Sequence, residues 1–361
     1  MNFVEKINSM SIPSILCPFG KKLKTKEDFE AAKPAIKKLL CDEEYGVIPE
    51  KPDSISVEVI SSDPKFCASK ATYTKYMLTA KIGDEEVKFP FYSAIPNKEG
   101  KIPAFVHINF DNLMPAKYQP TEEIIDRGYA VFTIFYKEVT SDDGDFEDGI
   151  AKVLVKDRTA PNATGKIALW AWSIMRVIDY IETLAFYDEN ALAVIGHSRL
   201  GKTTLLTAAF DERVKFACAN DSGTSGDAIA RQTRGESIKA ITDRFPFWFC
   251  PNYLKYQDKE DEQPFDQHFL LSLIVPRAIL NGSAEEDVWA DPYNQFISAA
   301  LVKDVYKLYG MQGLVFSEDI PEAPVVLQDG DASFHTRLGT HYLGREDWNI
   351  YMNFIDKKLG R

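Results

Sequence analysis

The sequence predicts an α/β protein with a mostly parallel central sheet that helices cover on both faces. Strand-like and helix-like patterns alternate from about residue 100 to the end of the chain, which is typical of such a sheet. The predicted strands in this part are continuous apolar runs, as expected for strands that are buried on both faces. Antiparallel strands are predicted to precede them.

Residues 1–100 are predicted to form a helix followed by a β-meander. The segment 27–40 (EDFEAAKPAIKKLL) places its apolar residues at helical spacing. Shorter segments alternate between apolar and polar residues, which predicts antiparallel strands. These strands are expected at 55–60, 72–81 and 86–94.

The remainder of the chain supplies the alternating elements. Buried strands are predicted at 102–110, 130–136, 191–195, 214–219, 277–280 and 325–328. Helices are predicted at 121–128, 166–184, 199–210, 292–309 and 346–359, with an apolar helix or turn at 269–275. Residues 223–265 interrupt this alternation and are interpreted as a lid-like insertion within a single domain that spans 1–361.

Composition excludes several classes of partner. The net charge of -12 and the lack of a dense Lys and Arg run argue against nucleic acid. No apolar stretch reaches the length of a membrane helix, and no signal peptide is recognisable, so we expect a cytoplasmic protein, or a secreted one if its signal was removed. Cysteine and histidine spacing suggests no metal site, and we expect no cofactor and a monomer.

The segment 194–203 (VIGHSRLGKT) fits two motifs. Gly196 and Ser198 fit the nucleophile turn of a serine hydrolase, whereas Gly196, Gly201, Lys202 and Thr203 fit a phosphate-binding loop. The phosphate loop is disfavoured because its interior has no further glycine and because at least two buried strands precede it. A nucleotide-binding protein remains the alternative from another functional class.

Chain order favours the hydrolase. Ser198 lies between a strand and a helix, Asp287 follows the strand at 277–280, and His341 follows the strand at 325–328. Serine, acid and histidine occur in this order in the α/β-hydrolase fold. The sequence therefore predicts that fold, with the 223–265 insertion after its sixth strand. One departure is Leu200, which stands where the motif usually has glycine.

The segment Gly196 to Lys202 (GHSRLGK) resembles the signature of the glucuronoyl esterases, carbohydrate esterase family 15, in which arginine follows the serine and the glycine is displaced by one position. The similarity continues through blocks at 220–223 (NDSG), 236–237 (ES), 245–250 (FPFWFC), 266–268 (DQH) and 283–292 (SAEEDVWADP), and at His341. The resemblance implies a serine esterase that acts on (4-O-methyl-)glucuronic acid esters of glucuronoxylan or its oligosaccharides. An acetyl xylan esterase, or carbohydrate deacetylase, is the alternative.

The candidate catalytic residues follow from this chemistry. A serine hydroxyl needs an adjacent base, so Ser198 is the predicted nucleophile and His341 the predicted base, with His335 as its competitor. Asp287 is the first choice for the acid that orients the histidine, and the resemblance implies Asp221, after the sixth strand, as an alternative or second acid.

Further residues are assigned to oxygen and sugar recognition. The backbone N–H of Arg199 is predicted to stabilise the developing oxyanion, and the resemblance implies that its guanidinium helps. The resemblance also implies that Lys202 and Glu236 bind sugar hydroxyls and that Trp289 packs against the ring, in line with the polar edges and apolar face of a sugar.

Overall fold

The structure, a computed structural model, describes residues 2–361. Ten strands form one sheet. In chain order they are β1 Ser54–Lys65, β2 Ala71–Ile82, β3 Glu85–Pro96, β4 Ile102–Asn109, β5 Ala130–Phe135, β6 Tyr187–His197, β7 Phe216–Asn220, β8 Ala278–Ala284, β9 Val325–Leu327 and β10 Ser333–Arg337.

Helices flank the strands. They are α1 Phe3–Asn8, α2 Lys26–Leu40, α3 Phe66–Ser69, α4 Thr121–Asp126, α5 Tyr136–Val139, α6 Ala151–Leu154, α7 Lys166–Ile181, α8 Arg199–Phe210, α9 Ile238–Arg244, α10 His268–Ser272, α11 Pro292–Leu301, α12 Lys303–Leu308 and α13 Arg345–Leu359. Short 3-10 or π turns occur at Pro18–Gly20, Cys41–Tyr45, Pro246–Trp248, Pro251–Tyr256 and Glu260–Glu262.

The strand order across the sheet is β1-β2-β3-β5-β4-β6-β7-β8-β10-β9. The strands from β5 to β10 in this order pair in parallel, whereas β1, β2, β3 and the edge strand β9 pair antiparallel. Two apolar clusters lie in the core, and the α7 helix is almost wholly buried in one of them. The α/β-hydrolase prediction is confirmed. The insertion predicted after the sixth strand follows β7 here. The two numbers differ because the usual strand count of this fold begins at β2.

Two predicted elements differ from the structure. The strand predicted at 325–328 is the short antiparallel edge strand β9, while the last parallel strand is β10, which the strand patterns of the sequence do not reveal. The β10 residues (SFHTR) are largely polar yet buried, so no apolar run marks them. The helix predicted at 292–309 is two helices that are separated at Val302.

The sheet brings the ends of three parallel strands together. His197 at the end of β6 is in register with Asn220 of β7, and Asn220 is in register with Gly282 of β8. Residues that follow these strands therefore meet at one edge of the sheet, where ligands bind in open α/β sheets.

The segment 223–265 is anchored by buried polar contacts. Arg231 forms an ion pair with Asp266, with 2.8 Å between Nη1 and Oδ2, and Ser225 bonds the hydroxyl of Tyr253 at 2.7 Å. Within residues 2–361, none of the helices has the length and apolar character that crossing a bilayer would require.

Candidate active site

Ser198 forms a one-residue turn between β6 and α8. Its φ of 58° and ψ of -128° lie outside the helical and extended regions, and a non-glycine residue keeps such a conformation only where its surroundings impose it. The Ser198 N–H donates to the carbonyl of Asn220 at 2.8 Å. This sharp turn places the hydroxyl at the sheet edge, as a nucleophile turn requires.

Close approaches explain the two glycines of the motif. A Cβ at Gly196 would lie 2.3 Å from the carbonyl oxygen of Leu200, and a Cβ at Gly201 would lie 2.8 Å from the Cβ of Ser222. The Leu200 side chain is fully buried. Glycine is therefore needed at position 201, where the loop after β7 passes close to α8. It is not needed at position 200.

The phosphate-loop alternative is wrong. Gly196 lies within β6, and Gly201 and Lys202 lie within α8, so only Ser198 separates strand from helix. A phosphate cradle needs several loop residues whose N–H groups face the ligand, and this segment has no such loop.

His341 and Asp287 form a hydrogen-bonded pair. Nδ1 of His341 lies 2.5 Å from Oδ2 of Asp287. The Asp287 side chain is buried, whereas 42% of the His341 side chain is exposed. The carboxylate thus fixes one ring nitrogen of His341, which leaves the other ring nitrogen for chemistry at the surface.

Asp221, the alternative acid, lies beside this pair but makes different bonds. Its Oδ1 accepts the N–H of Ala284 at 2.9 Å. Its Oδ2 lies 3.8 Å from Nδ1 of His197. Burial, together with the nearby Asp287 charge, raises the pKa of Asp221 well above its usual range.

His197 packs beneath the site. Its ring lies 4.3 Å from the ring of His341, centre to centre, and its Nδ1 lies 2.6 Å from the Asn220 side chain, whose amide is oriented so that its nitrogen faces His197. Burial and the neighbouring His341 lower the pKa of His197 to about 3, so it packs as a neutral ring.

Three of these side chains have the geometry of a possible metal site, although the sequence suggested none. His197, Asp221 and His341 each offer one ligand atom, and these atoms lie within 4.8 Å of one another. Each residue already has a partner in the chain, namely Asn220, Ala284 and Asp287. The serine-based chemistry proposed below needs no ion at this position.

The predicted sugar-binding residues form a connected group. The Lys202 ammonium donates to the carbonyls of Ser222 and Thr224, each at 2.5 Å, and lies 3.8 Å from the Glu236 carboxylate. The Glu236 Oε1 atom accepts the indole N–H of Trp289 at 3.1 Å. Burial lowers the pKa of Lys202 and raises that of Glu236. Lys202 therefore holds the start of the insertion as well as facing the cleft.

All eight predicted site residues line one cleft of about 320 Å³. Trp289 is its most exposed aromatic side chain, at 48%. Six other residues line the cleft without having been assigned a site role from the sequence. All of them except Arg244 belong to blocks that the family resemblance had marked. The full lining comprises Ser198, Arg199, Lys202, Asp221, Ser222, Gly223, Glu236, Arg244, Phe245, Trp248, Asp287, Trp289, Ala290 and His341.

His335, the competitor of His341, lies away from the cleft. It lies in the middle of β10, is fully buried, and bonds Asp347 at 2.9 Å. The buried His107 bonds Gln119 at 2.7 Å, and His268 bonds the carbonyl of Pro13 at 2.9 Å. These three histidines support the fold.

Comparisons with known proteins show which family the chain is similar to. The family model "Glucuronyl esterase, fungi" matches residues 78–310. A carbohydrate esterase of an unknown prokaryotic organism is 40% identical over 241 residues, which cover 66% of this chain and 55% of that protein. A 4-O-methyl-glucuronoyl methylesterase of Thermothelomyces thermophilus is 26% identical over 324 residues, which cover 84% of this chain and 74% of that protein.

A solved structure extends the similarity to nearly the full chain. The glucuronoyl esterase from Solibacter usitatus superposes with a TM-score of 0.87 at 29% sequence identity, covering 96% of this chain and 97% of that one. The chain nevertheless spans only 55% of the length of the prokaryotic carbohydrate esterase. With the family model matching well over half of its residues, the chain belongs to the glucuronoyl esterase family.

Proposed function

We propose that the protein hydrolyses esters of (4-O-methyl-)glucuronic acid units, carried on glucuronoxylan or on oligosaccharides derived from it. The observation that carries the proposal is one cleft that joins Ser198, the His341–Asp287 pair and a group of sugar-compatible side chains, in a chain of this family. The names of relatives such as the 4-O-methyl-glucuronoyl methylesterase support the same substrate class.

Ser198 is the proposed nucleophile. His341 takes the proton of its hydroxyl while the oxygen attacks the ester carbon, and the carbonyl oxygen becomes an oxyanion. The C–O bond to the alcohol then breaks, and His341 returns the proton to the leaving alcohol. Water, activated by the same histidine, hydrolyses the acyl-enzyme to release glucuronate and free Ser198.

Asp287 is the proposed acid. Its bond to Nδ1 of His341 orients the ring and stabilises the imidazolium that forms during attack. Asp221 contributes less in this proposal, because burial favours its neutral form and its bond to Ala284 turns one oxygen away.

The oxyanion and the sugar have proposed partners on the same cleft. The backbone N–H of Arg199 is the proposed donor to the oxyanion. Arg199 is the first residue of α8, and the N-terminus of a helix favours anions. Lys202 and Glu236 bind vicinal hydroxyls, and the exposed indole of Trp289 covers the apolar face of the pyranose.

Kinetics on two substrates test the proposal. We expect kcat/KM for a methyl ester of 4-O-methyl-glucuronic acid to exceed that for acetylated xylose by on the order of 100-fold, since a buried polar group left without a partner costs about 1–3 kcal/mol. Ser198→Ala is the control and should abolish both activities. A preference for acetyl esters would instead assign a carbohydrate deacetylase.

The cellular setting is part of the proposal. A cytoplasmic enzyme would meet imported oligosaccharide esters and not the polymer, and the location, like the monomeric state, stays a prediction. Activity on short methyl-esterified oligosaccharides that equals or exceeds activity on glucuronoxylan would support the intracellular role. A strong preference for the polymer would contradict it.

A further inference from the structure

We propose that Asp142 is a positioning residue that aims the guanidinium of Arg199 at the oxyanion of the ester. The inference rests on the proposed function, in which Arg199 meets that oxyanion. Asp142 lies 57 residues before Arg199 in the chain and was not among the residues that the sequence marked.

Asp142 forms an ion pair with Arg199. The Arg199 Nη1 atom donates to Oδ2 of Asp142, and the exposed fractions are 23% for the Arg199 side chain and 7% for that of Asp142. Within residues 2–361, no other carboxylate lies within ion-pair distance of Arg199. A partly buried pair of this kind restricts the guanidinium far more than an exposed one does.

The Asp142 carboxylate is itself fixed by two more donors. Its Oδ2 also accepts the hydroxyl of Tyr136 at 2.9 Å, and its Oδ1 accepts the indole N–H of Trp248 at 2.7 Å. Every neighbour is a donor, so the position suits a group that only accepts hydrogen bonds, namely an ionised carboxylate. Asparagine would present a donor to at least one of these donors.

The same contacts organise the aromatic wall of the cleft. The guanidinium carbon of Arg199 lies 4.5 Å from the centre of the Trp248 ring, and that ring stacks on Phe245 at 3.9 Å with an interplanar angle of 2°. Asp142 thus holds both the guanidinium and the indole beneath it, which sets their relative position before substrate arrives.

A buried lysine fixes the loop that carries Asp142. The Lys166 ammonium, at the start of α7, donates to Thr140 Oγ1 at 2.8 Å and to the carbonyl of Asp145 at 2.5 Å. It also lies 3.4 Å from the Asp148 carboxylate, and its side chain is fully buried. The loop is therefore attached to the core on both sides of Asp142.

The pair leaves donors of Arg199 unused. Only Nη1 has an acceptor within residues 2–361, and the buried Nε has none. The Arg199 side chain is 23% exposed and lines the cleft, so donor capacity remains for a ligand. A guanidinium held at one nitrogen with donor capacity left over is the arrangement that stabilising an incoming oxyanion requires.

Kinetics of Asp142→Asn on the methyl glucuronate ester test the inference. We expect kcat and kcat/KM to fall together by roughly 10- to 100-fold with KM little changed, because the lost alignment acts in the transition state; removing an oxyanion donor outright costs about 10²–10³-fold. The matched control is Asp143→Asn, an exposed carboxylate whose bonds are to Ser141 and Asp145, and it should keep parental kinetics.

A double-mutant cycle separates positioning from a structural role. If Asp142 acts through Arg199, Asp142→Asn should change kcat by less than about twofold in an Arg199→Ala background. Tyr136→Phe, which removes one donor to Asp142, gives a second variant if Asp142→Asn does not fold, and it should lower kcat a few-fold only when Arg199 is present.

Three outcomes overturn the inference. Equal kinetics of Asp142→Asn and Asp143→Asn in an active parent would reject the positioning role and leave the proposed function intact. If Asp142→Asn, or Tyr136→Phe where Asp142→Asn does not fold, lowers kcat as much in the Arg199→Ala background as in the parent, Asp142 does not act through Arg199. A parent enzyme without activity on glucuronate esters would refute the proposed function and this inference with it.

Discussion

His335 and His341 lie close together in the chain, and each forms a pair with an aspartate. Only the pair of His341 opens to the cleft. His335 bonds Asp347 at 2.9 Å, and both side chains are fully buried. His341 bonds Asp287 at 2.5 Å, and 42% of the histidine is exposed. The residue types are the same, although Asp347 bonds Nε2 of His335 and Asp287 bonds Nδ1 of His341. The presence of a pair alone therefore does not identify an active histidine, whereas its position after a strand end does.

The buried pair is locked by a third group. Arg337 donates to Asp347 at 3.0 Å, and Asp347 also accepts the N–H of Gly344 at 2.7 Å to cap α13. Burial acts to raise the pKa of Asp347, but His335 and Arg337 more than offset it, and the pKa lies below its usual range. This pair joins β10 to the last helix, and the second ring nitrogen of His335 is buried without a partner among the described residues. The His341 side chain instead opens to the cleft.

The largest expected effect separates the two histidines. His341→Gln should lower kcat by about 10⁵-fold or more, because the general base is lost. His335→Gln should leave kcat per folded molecule within about tenfold while lowering the melting temperature. Steady-state kinetics of purified folded variants check both, and a severe kcat loss from the His335 variant alone would reverse our assignment.

The second prediction separates the two acids beside His341. Asp287→Asn should lower kcat by about 10⁴-fold, because the ring loses its orienting carboxylate. Asp221→Asn should cost tenfold or less, since burial already favours the neutral form of Asp221 and asparagine mimics it. If Asp221→Asn instead lowers kcat more than Asp287→Asn does in the same assay, Asp221 is the acid.

The third prediction concerns stability. At pH 7, Asp347→Asn should lower the free energy of unfolding by about 3 kcal/mol, because it leaves Arg337 without its buried partner. The pKa of Asp347 is lowered in the folded state, so its contribution is present above the ordinary aspartate pKa and is lost as pH falls through the folded value. The difference in the free energy of unfolding between the wild-type protein and Asp347→Asn should therefore become smaller in acid.

Urea unfolding at pH 7 and at a series of lower pH values down to about pH 2 measures this difference. Asp287→Asn is the control, because its partner is exposed and such pairs contribute about 0–1 kcal/mol. An Asp347→Asn deficit that persists unchanged in acid would contradict the account of the buried pair.

The sequence could predict the elements whose patterns are local. The apolar run before Ser198, the helical spacing after it and the chain order of Ser198, Asp287 and His341 led to the fold and to these three residues of the cleft. The sugar-binding candidates of the same cleft came only from the family resemblance. Even the displaced Gly201 was marked by the family resemblance, and the close approach of Ser222 gives its physical reason.

The rest depended on contacts between distant segments. The β10 strand carries no apolar run, because Asp347 of α13 bonds two of its buried polar residues, His335 and Arg337. Asp142 stands in an acidic loop that looks like solvated surface until Arg199 and Trp248 converge on it. Lys202 was predicted to contact sugar, yet its ammonium also donates to the backbone carbonyls of Ser222 and Thr224, where the insertion begins. No local sequence pattern shows this structural role.

The account stands on Ser198 as an activated nucleophile, and intact-mass spectrometry after treatment with a fluorophosphonate probe tests that most directly. The account predicts a single adduct on the parent protein, located at Ser198, slower labelling of His341→Gln, and none on Ser198→Ala. A label that persists on Ser198→Ala, or one that His341→Gln acquires at the parental rate, would contradict it.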